Sequence, residues 1–265
     1  MEWTSAQWEE LYESNNTIIL DELGLGNFSQ TKVIVTSKPK ELQSVEEKIQ
    51  QFWANFVQSH PLARDDLKLG VRGKEDIYVQ EGILVVKAFP TSYAAVRFKN
   101  SRSKEDTKNL DEEQQDFLDN HFLTIGAGAY VTADNQYLLG KRATGVARSG
   151  LVEYVPQGLA DPHGEENLEN IFDITINREL EEETGLGLGD ISERKSTHVN
   201  IGPKYGDFTL IYHIAVRLEA VVKVKANPYE HTNIFWKTED ALQELMCRDR
   251  YAVTPVTTAL FDKIL

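Results

Sequence analysis

An α/β fold is what this sequence predicts, and three observations carry the prediction. Strand-type and helix-type segments alternate from about residue 120 to residue 265. Short apolar runs such as Gly82-Ile83-Leu84-Val85-Val86 read as buried strands. Leu168, Phe172, Ile176 and Leu180 recur at helical spacing and form a stripe that should face the interior. A chain of 265 residues accommodates one large domain or a smaller one joined to a medium one. We divide it into an N-terminal α+β part, residues 1–118, and a C-terminal α/β part, residues 119–265.

In order, residues 32–36 read as a strand and residues from Ser44 onward as an amphipathic helix, with Glu47 in capping-box position. That helix carries Ile49, Phe52, Trp53, Phe56 and Val57, and Pro61 lies just past its end. Residues 99–113 are charged and poor in apolar side chains, which suggests a linker turning into a helix that ends near Phe122. Residues 125–131 and 137–139 flank Ala133-Asp134-Asn135-Gln136, a hairpin signal. Further strands are expected over 197–201, 208–216 and 234–236, and a helix near 239–246. Gly185, Gly187 and Gly189 follow a helix instead of a strand, which excludes a dinucleotide-binding turn. No internal repeat is present.

Composition narrows the function classes. The single cysteine, Cys247, excludes an internal disulfide framework and suits a reducing, cytoplasmic setting. No apolar run is long enough to span a membrane, and residues 1–5 lack the pattern of a secretory signal. A net charge of −14 argues against a nucleic-acid backbone as partner. An anionic small molecule would then need a metal or local basic groups to approach.

The most informative stretch is Arg178-Glu179-Leu180-Glu181-Glu182-Glu183-Thr184-Gly185-Leu186. On a helix, Glu179, Glu182 and Glu183 stand at i, i+3 and i+4 and share one face. Carboxylates so close repel unless a cation lies between them. Hard divalent ions such as Mg²⁺ bind clustered oxygens, usually alongside substrate phosphates and waters. Gly185 suits a left-handed helix end. The plainer reading is a solvated acidic face. Against it, acidic groups near a helix C-terminus oppose the macrodipole, and these continue the apolar stripe.

The same stretch resembles the second half of the Nudix box, GX5EX7REUXEEXGU with U apolar, and matches it at every fixed position. Val155-Pro156-Gln157-Gly158 is similar to the Pro-Gly-Gly that opens the box. The first half departs. Gly158 precedes Arg178 by 20 positions where the pattern has 14, an insertion of six; with Gly164 as the box glycine the spacing fits, but Asn170 stands where the family has glutamate. We take Gly158 as the opening glycine, which leaves Glu165 and Glu169 as the carboxylates available to replace the missing one.

The resemblance implies an α/β/α sandwich with a mixed sheet. It also implies hydrolysis of a diphosphate linking a nucleoside to another group, with Mg²⁺ or Mn²⁺ as cofactor. On the matching positions, Glu179, Glu182 and Glu183 would be metal ligands with the carbonyl of Gly158, and Arg178 would hold a carboxylate through a bidentate pair. Glu182, Glu183, Arg178 and Glu230 form the implied catalytic set, although a solvated turn glutamate after Pro228 is an equal reading of Glu230. Lys141, Arg142 and Arg148 are the cations placed to meet phosphates, or else ordinary surface charges.

A second resemblance concerns substrate. Leu84-Val85-Val86 with Thr91-Ser92-Tyr93, Ser149-Gly150-Leu151-Val152-Glu153, and Glu230 followed by Ile234-Phe235-Trp236 are similar to segments of Nudix UDP-glucose pyrophosphatases, which also carry an extra N-terminal domain. This implies a small-molecule UDP-sugar substrate. Tyr93 would offer its ring and hydroxyl to base or sugar, while a dimerisation or stability role for the N-terminal part is the alternative. Pro203 and Tyr205 lie near spacings associated with ADP-ribose and dinucleoside polyphosphate hydrolases, so ADP-ribose is the runner-up, and a sensor binding without turnover is the alternative from another class.

Overall fold

The computed structural model describes residues 16–19, 28–61, 63–144, 146, 148–162, 168–202 and 207–265. Its N-terminal part comprises β1 (Asn16–Ile19), β2 (Gln30–Val35), α1 (Glu46–Ser59), β3 (Leu67–Val71), β4 (Ile77–Gln80), β5 (Ile83–Ser92), α2 (Tyr93–Ser101) and α3 (Glu112–Asn120). There follow β6 (Leu123–Ala133), β7 (Gln136–Arg142), β8 (Val152–Tyr154), β9 (Gln157–Leu159), α4 (Ile171–Thr184), β10 (Ile191–Gly202), β11 (Asp207–Val216), β12 (His231–Thr238), α5 (Glu239–Arg248) and α6 (Pro255–Ile264).

The sheet is mixed. Its main path runs β1-β10-β11-β6-β3-β5-β2, with β7, β8, β9, β12 and β4 paired off that path. The β11–β6 and β2–β5 pairs are parallel, and the β10–β11 and β7–β12 pairs are antiparallel. Strand β3 pairs with β5 and with β6, so it joins strands from both parts of the chain. Gly70 makes that join possible, because a Cβ there would stand 2.7 Å from the Phe89 ring and 2.9 Å from Phe122. The hairpin between β6 and β7 turns on Asp134 and Asn135, at φ 46° and 59°, the left-handed pair that suits the twist of a two-residue turn.

Strand periodicity splits the side chains between two helical layers. Ile125, Ala127 and Ala129 of β6 and Leu210 of β11 pack with Phe172, Ile176 and Leu180 of α4. One residue on, Ile211 packs with Tyr154, Val256, Leu260 and Phe261, which places α6 on the other side. A third cluster gathers Phe89, Phe98, Phe117 and Phe122 beneath α1, α2 and α3. The α/β class expected from the sequence is the class observed.

Several local expectations are corrected. Ser44 does not cap α1: its hydroxyl donates to the carbonyl of Glu41 and accepts from Gln114, and it ends a short preceding helix, Lys40–Ser44. Residues 99–113 are not a linker. Ser92 caps α2 by accepting from the Ala95 amide at 3.3 Å, and Lys99 on that helix is buried with its ammonium on the carbonyl of Phe122. The following helix stops at Asn120, and Phe122 enters the core.

Candidate active site

The C-terminal half of α4 carries the acidic residues to the edge of β9. The stripe on α4 buries one face, and Gly185 at φ 73° ends the helix, its amide donating to Glu181 at 2.9 Å. On that register Glu179 is 9% exposed and Glu183 1%, while Glu182 is exposed. Gly158 on β9 lies directly against Glu179, since a Cβ there would fall 2.1 Å from Oε1. The Gln157 amide donates to Glu183 Oε1 at 3.4 Å, and Glu183 Oε2 has no hydrogen-bond partner among the described residues. Arg178 donates through Nη2 to Glu179 at 2.8 Å and to the Leu159 carbonyl at 3.4 Å, a single-nitrogen contact instead of a fork.

The electrostatics follow from this crowding. Burial pushes the Glu179 carboxyl up to about 7, with Arg178 pulling down and Glu230 and Glu182 pushing further up. Burial raises Glu183 well above the usual carboxylate range, helped by Glu230, Glu179 and Glu153. Burial works against the Arg178 charge, but Glu179, Glu182 and Asp161 outweigh it and strengthen its hold on the proton. Among the described residues the potential ligand atoms gathered within 4.8 Å of one another belong to Glu183, Glu230 and His231, while Glu179 acts on Glu183 by charge and Glu182 on Glu179. The buried orphan oxygen of Glu183 and this repulsion fit a hard divalent cation, which would satisfy both at once.

Around this core the structure adds groups that sequence reasoning missed. Glu153 on β8 accepts from Arg142 Nη1 and from Gln157 Nε2 at 2.8 Å, and its Oε1 is hydrogen-bonded with His231 Nε2 at 3.0 Å. Carboxylate oxygens of Glu183 and Glu230 and a ring nitrogen of His231 lie within 4.8 Å of one another. The turn before β12 is anchored by the Ala143 amide on the Glu230 carbonyl at 2.7 Å. The only sequence signals for these were the motif ending in Glu153 and the adjacency of His231 to Glu230.

Other expected residues are distributed as follows. Arg142 faces Glu153, Lys141 is exposed, and Arg148 sits at φ 58° where its charge acts on Tyr154 and Asp207. Tyr93 opens α2, packs edge-on to Trp53 at 6.1 Å, and borders a cavity of about 280 Å³ with Arg64, Asp66 and Lys68. Lys68 pairs with Asp161 at 3.0 Å, and Asp161 is the residue whose charge reaches Arg178. Glu169 points towards β2, its carboxylate 3.7 Å from Lys32. Glu165, Gly164, Pro203 and Tyr205 lie outside the described residues.

No protein-family model matches this sequence, and no curated protein does. Among solved structures, a MutT Nudix hydrolase from Burkholderia pseudomallei is similar at 20% identity, with 53% of this chain and 97% of that one covered and a TM-score of 0.39. A MutT protein from Methanosarcina mazei Go1 is similar at 19% identity, covering 53% and 93% with a TM-score of 0.34. A Nudix hydrolase from Nitrosomonas europaea is similar at 18% identity over 44% of this chain and 58% of that one, with a TM-score of 0.34.

Proposed function

We propose that this protein is a Nudix-type hydrolase that uses a divalent metal to cleave the diphosphate of a nucleoside diphosphate joined to another group. The observation that carries the reading is the buried pair Glu179 and Glu183 beside Gly158, with one Glu183 oxygen left orphaned. Glu179, Glu182, Glu183 and the Gly158 carbonyl would hold Mg²⁺ or Mn²⁺. When bound, such an ion supplies charge neutralisation of the diphosphate oxygens and activation of water.

The chain's own residues supply the rest. Arg178 would position Glu179, and Glu230, close to Glu183, would ligate the metal or take a proton from the attacking water. Lys141, Arg142 and Arg148 lend positive charge for the phosphates. The Arg142 guanidinium would do so from its pairing with Glu153. Residues 1–118, proposed as the smaller domain although β3 continues the sheet onto β6, would border the site on the side of Tyr93. A soluble, cytoplasmic setting is part of the same reading; among the described residues no helix is long and apolar enough to cross a membrane.

For substrate we propose a UDP-sugar, UDP-glucose or UDP-galactose, cleaved to UMP and a sugar 1-phosphate. The support is the resemblance of residues 84–93, 149–153 and 230–236 to the UDP-glucose pyrophosphatase group. The test is a metal-dependent screen of nucleoside diphosphate compounds with products identified by mass. A kcat/KM for ADP-ribose well above that for UDP-glucose sinks the UDP-sugar assignment, and no cleavage of any such compound sinks the hydrolase.

A further inference from the structure

His231 is not a ligand in the arrangement just described, yet its surroundings are those of one. The residue is 1% exposed, and its ring is pressed against β7, where a Cβ on Gly140 would lie 2.5 Å from Cδ2. Nε2 is 3.0 Å from Glu153 Oε1. Glu153 also accepts from Arg142 and Gln157, and as the acceptor of both it is assigned as the acceptor of the Nε2 proton. That bond sets the tautomer and leaves the lone pair on Nδ1, which is buried and without any partner. Glu183 Oε2 is the second buried orphan. A ring nitrogen of His231 and carboxylate oxygens of Glu183 and Glu230 lie within 4.8 Å of one another.

We propose that His231 Nδ1, Glu183 and Glu230 form a mixed nitrogen and oxygen metal site beside the oxygen-only cluster, with Glu153 as the carboxylate that orients the imidazole. A histidine that donates its other ring N–H to a carboxylate is the usual arrangement of a ligating imidazole. The donor set also chooses the ion. An imidazole favours Mn²⁺, Co²⁺ or Zn²⁺ over Mg²⁺, which prefers oxygen and keeps its waters. A purely structural histidine would need the Glu153 bond but neither an orphan Nδ1 nor a ring nitrogen within 4.8 Å of two carboxylates.

The proposal shares Glu183 with the hydrolase reading and rests on its metal dependence, but it does not require turnover. It is tested on the full chain by pulsed electron paramagnetic resonance of bound Mn²⁺, which detects a coordinated ¹⁴N, and by Mn²⁺ titration. The wild type should show ¹⁴N coupling. His231→Gln should lose it and weaken Mn²⁺ at least about tenfold, and Glu153→Gln should weaken Mn²⁺ about 10- to 100-fold. The preference for Mn²⁺ over Mg²⁺ should narrow in His231→Gln. Mn²⁺ bound without ¹⁴N coupling in the wild type overturns the proposal, whatever the variants do. So does retained coupling in a folded His231→Gln, with His231→Asn as the substitute if the glutamine variant does not fold. Hydrolysis of UDP-glucose with Mg²⁺, assayed in parallel, separates the two readings: turnover without ¹⁴N coupling removes only the nitrogen ligand.

Discussion

A carboxylate that is 1% exposed with one oxygen unpartnered is tolerated in a fold only if it is protonated or faces a cation. Glu183 is that group, and Glu179 beside it shares the strain. Glu183→Gln keeps the shape and removes the charge. We expect the rate to fall about 10²–10³-fold or more with Mg²⁺ present, while the metal-free melting temperature holds or rises. Glu182→Gln, on the exposed side of the same turn, should fold as well and lose rate over the same range. Near-full activity in both variants removes the acidic cluster as the metal site. A second buried charge problem lies away from this site. Burial holds Lys99 down at about 8 against the pull of Asp207, and Asp207 is raised to about 6 by burial against the pull of Lys99 and Arg148. The lysine, depressed from 10.5, adds stability as pH rises from about 8 to 10.5. The aspartate, raised from 3.8, removes stability as pH rises from 3.8 to about 6. Both are charged together only between about 6 and about 8, and because the buried lysine is the less stable when charged, the cost of Lys99→Met should grow from pH 5 through pH 7 to pH 9. Urea unfolding at these three pH values reads this directly, and equal losses at all three would mean that the Lys99 charge is not opposed by burial.

Elements differ in how much of them the sequence reveals, and the reason is length and range. Helix α4 was legible because an apolar stripe, a glycine end and the acidic face agree within one segment; Phe172, Ile176 and Leu180 are fully buried, while Leu168 belongs to the 3-10 turn before the helix and is partly buried. Strands β8 and β9 have three residues each, too few for any periodicity to show. Helix α2 was hidden because Lys99 opens a run that reads as charged and poor in apolar side chains, whereas Lys99 is buried with its ammonium over the Phe122 ring, and Arg97 on the same helix lies 5.0 Å over the Phe56 ring. The role of His231 could not be read because its partner Glu153 is 78 residues away. Contact between α4 and β9 makes its own prediction. Gly158→Ala places a Cβ where Glu179 Oε1 now lies, and a carboxylate at the end of a flexible side chain can move aside. The fold should survive, Arg178 should lose its partner, and metal affinity should drop at least about tenfold by calorimetric titration. Phe172→Ala, by contrast, should cost about 3–5 kcal/mol of stability, because α4 has nothing else to fill that space.

At the scale of the whole molecule the question is what the N-terminal part does for a site built by β9 and α4. The contact between them is chemical as well as geometric. Lys68 on β3 pairs with Asp161 just beyond β9, and Asp161 reaches Arg178 by charge. Tyr93 stands beside Lys68 in the same cavity, its amide tied to the Asp66 carbonyl at 2.9 Å and its ring edge-on to Trp53. Ligand sites favour such junctions, where two surfaces enclose a polar molecule. A ring fixed by its backbone and by Trp53 presents its hydroxyl at low entropic cost. Tyr93→Phe keeps the ring contact and removes one hydrogen bond. If the hydroxyl meets base or sugar, kcat/KM should fall about 2- to 12-fold, equivalent to about 0.5–1.5 kcal/mol, mainly through KM and with the melting temperature unchanged. A lowered melting temperature with unaltered kinetics would instead make Tyr93 part of the packing around Trp53, and the N-terminal part would then serve stability or assembly instead of substrate choice.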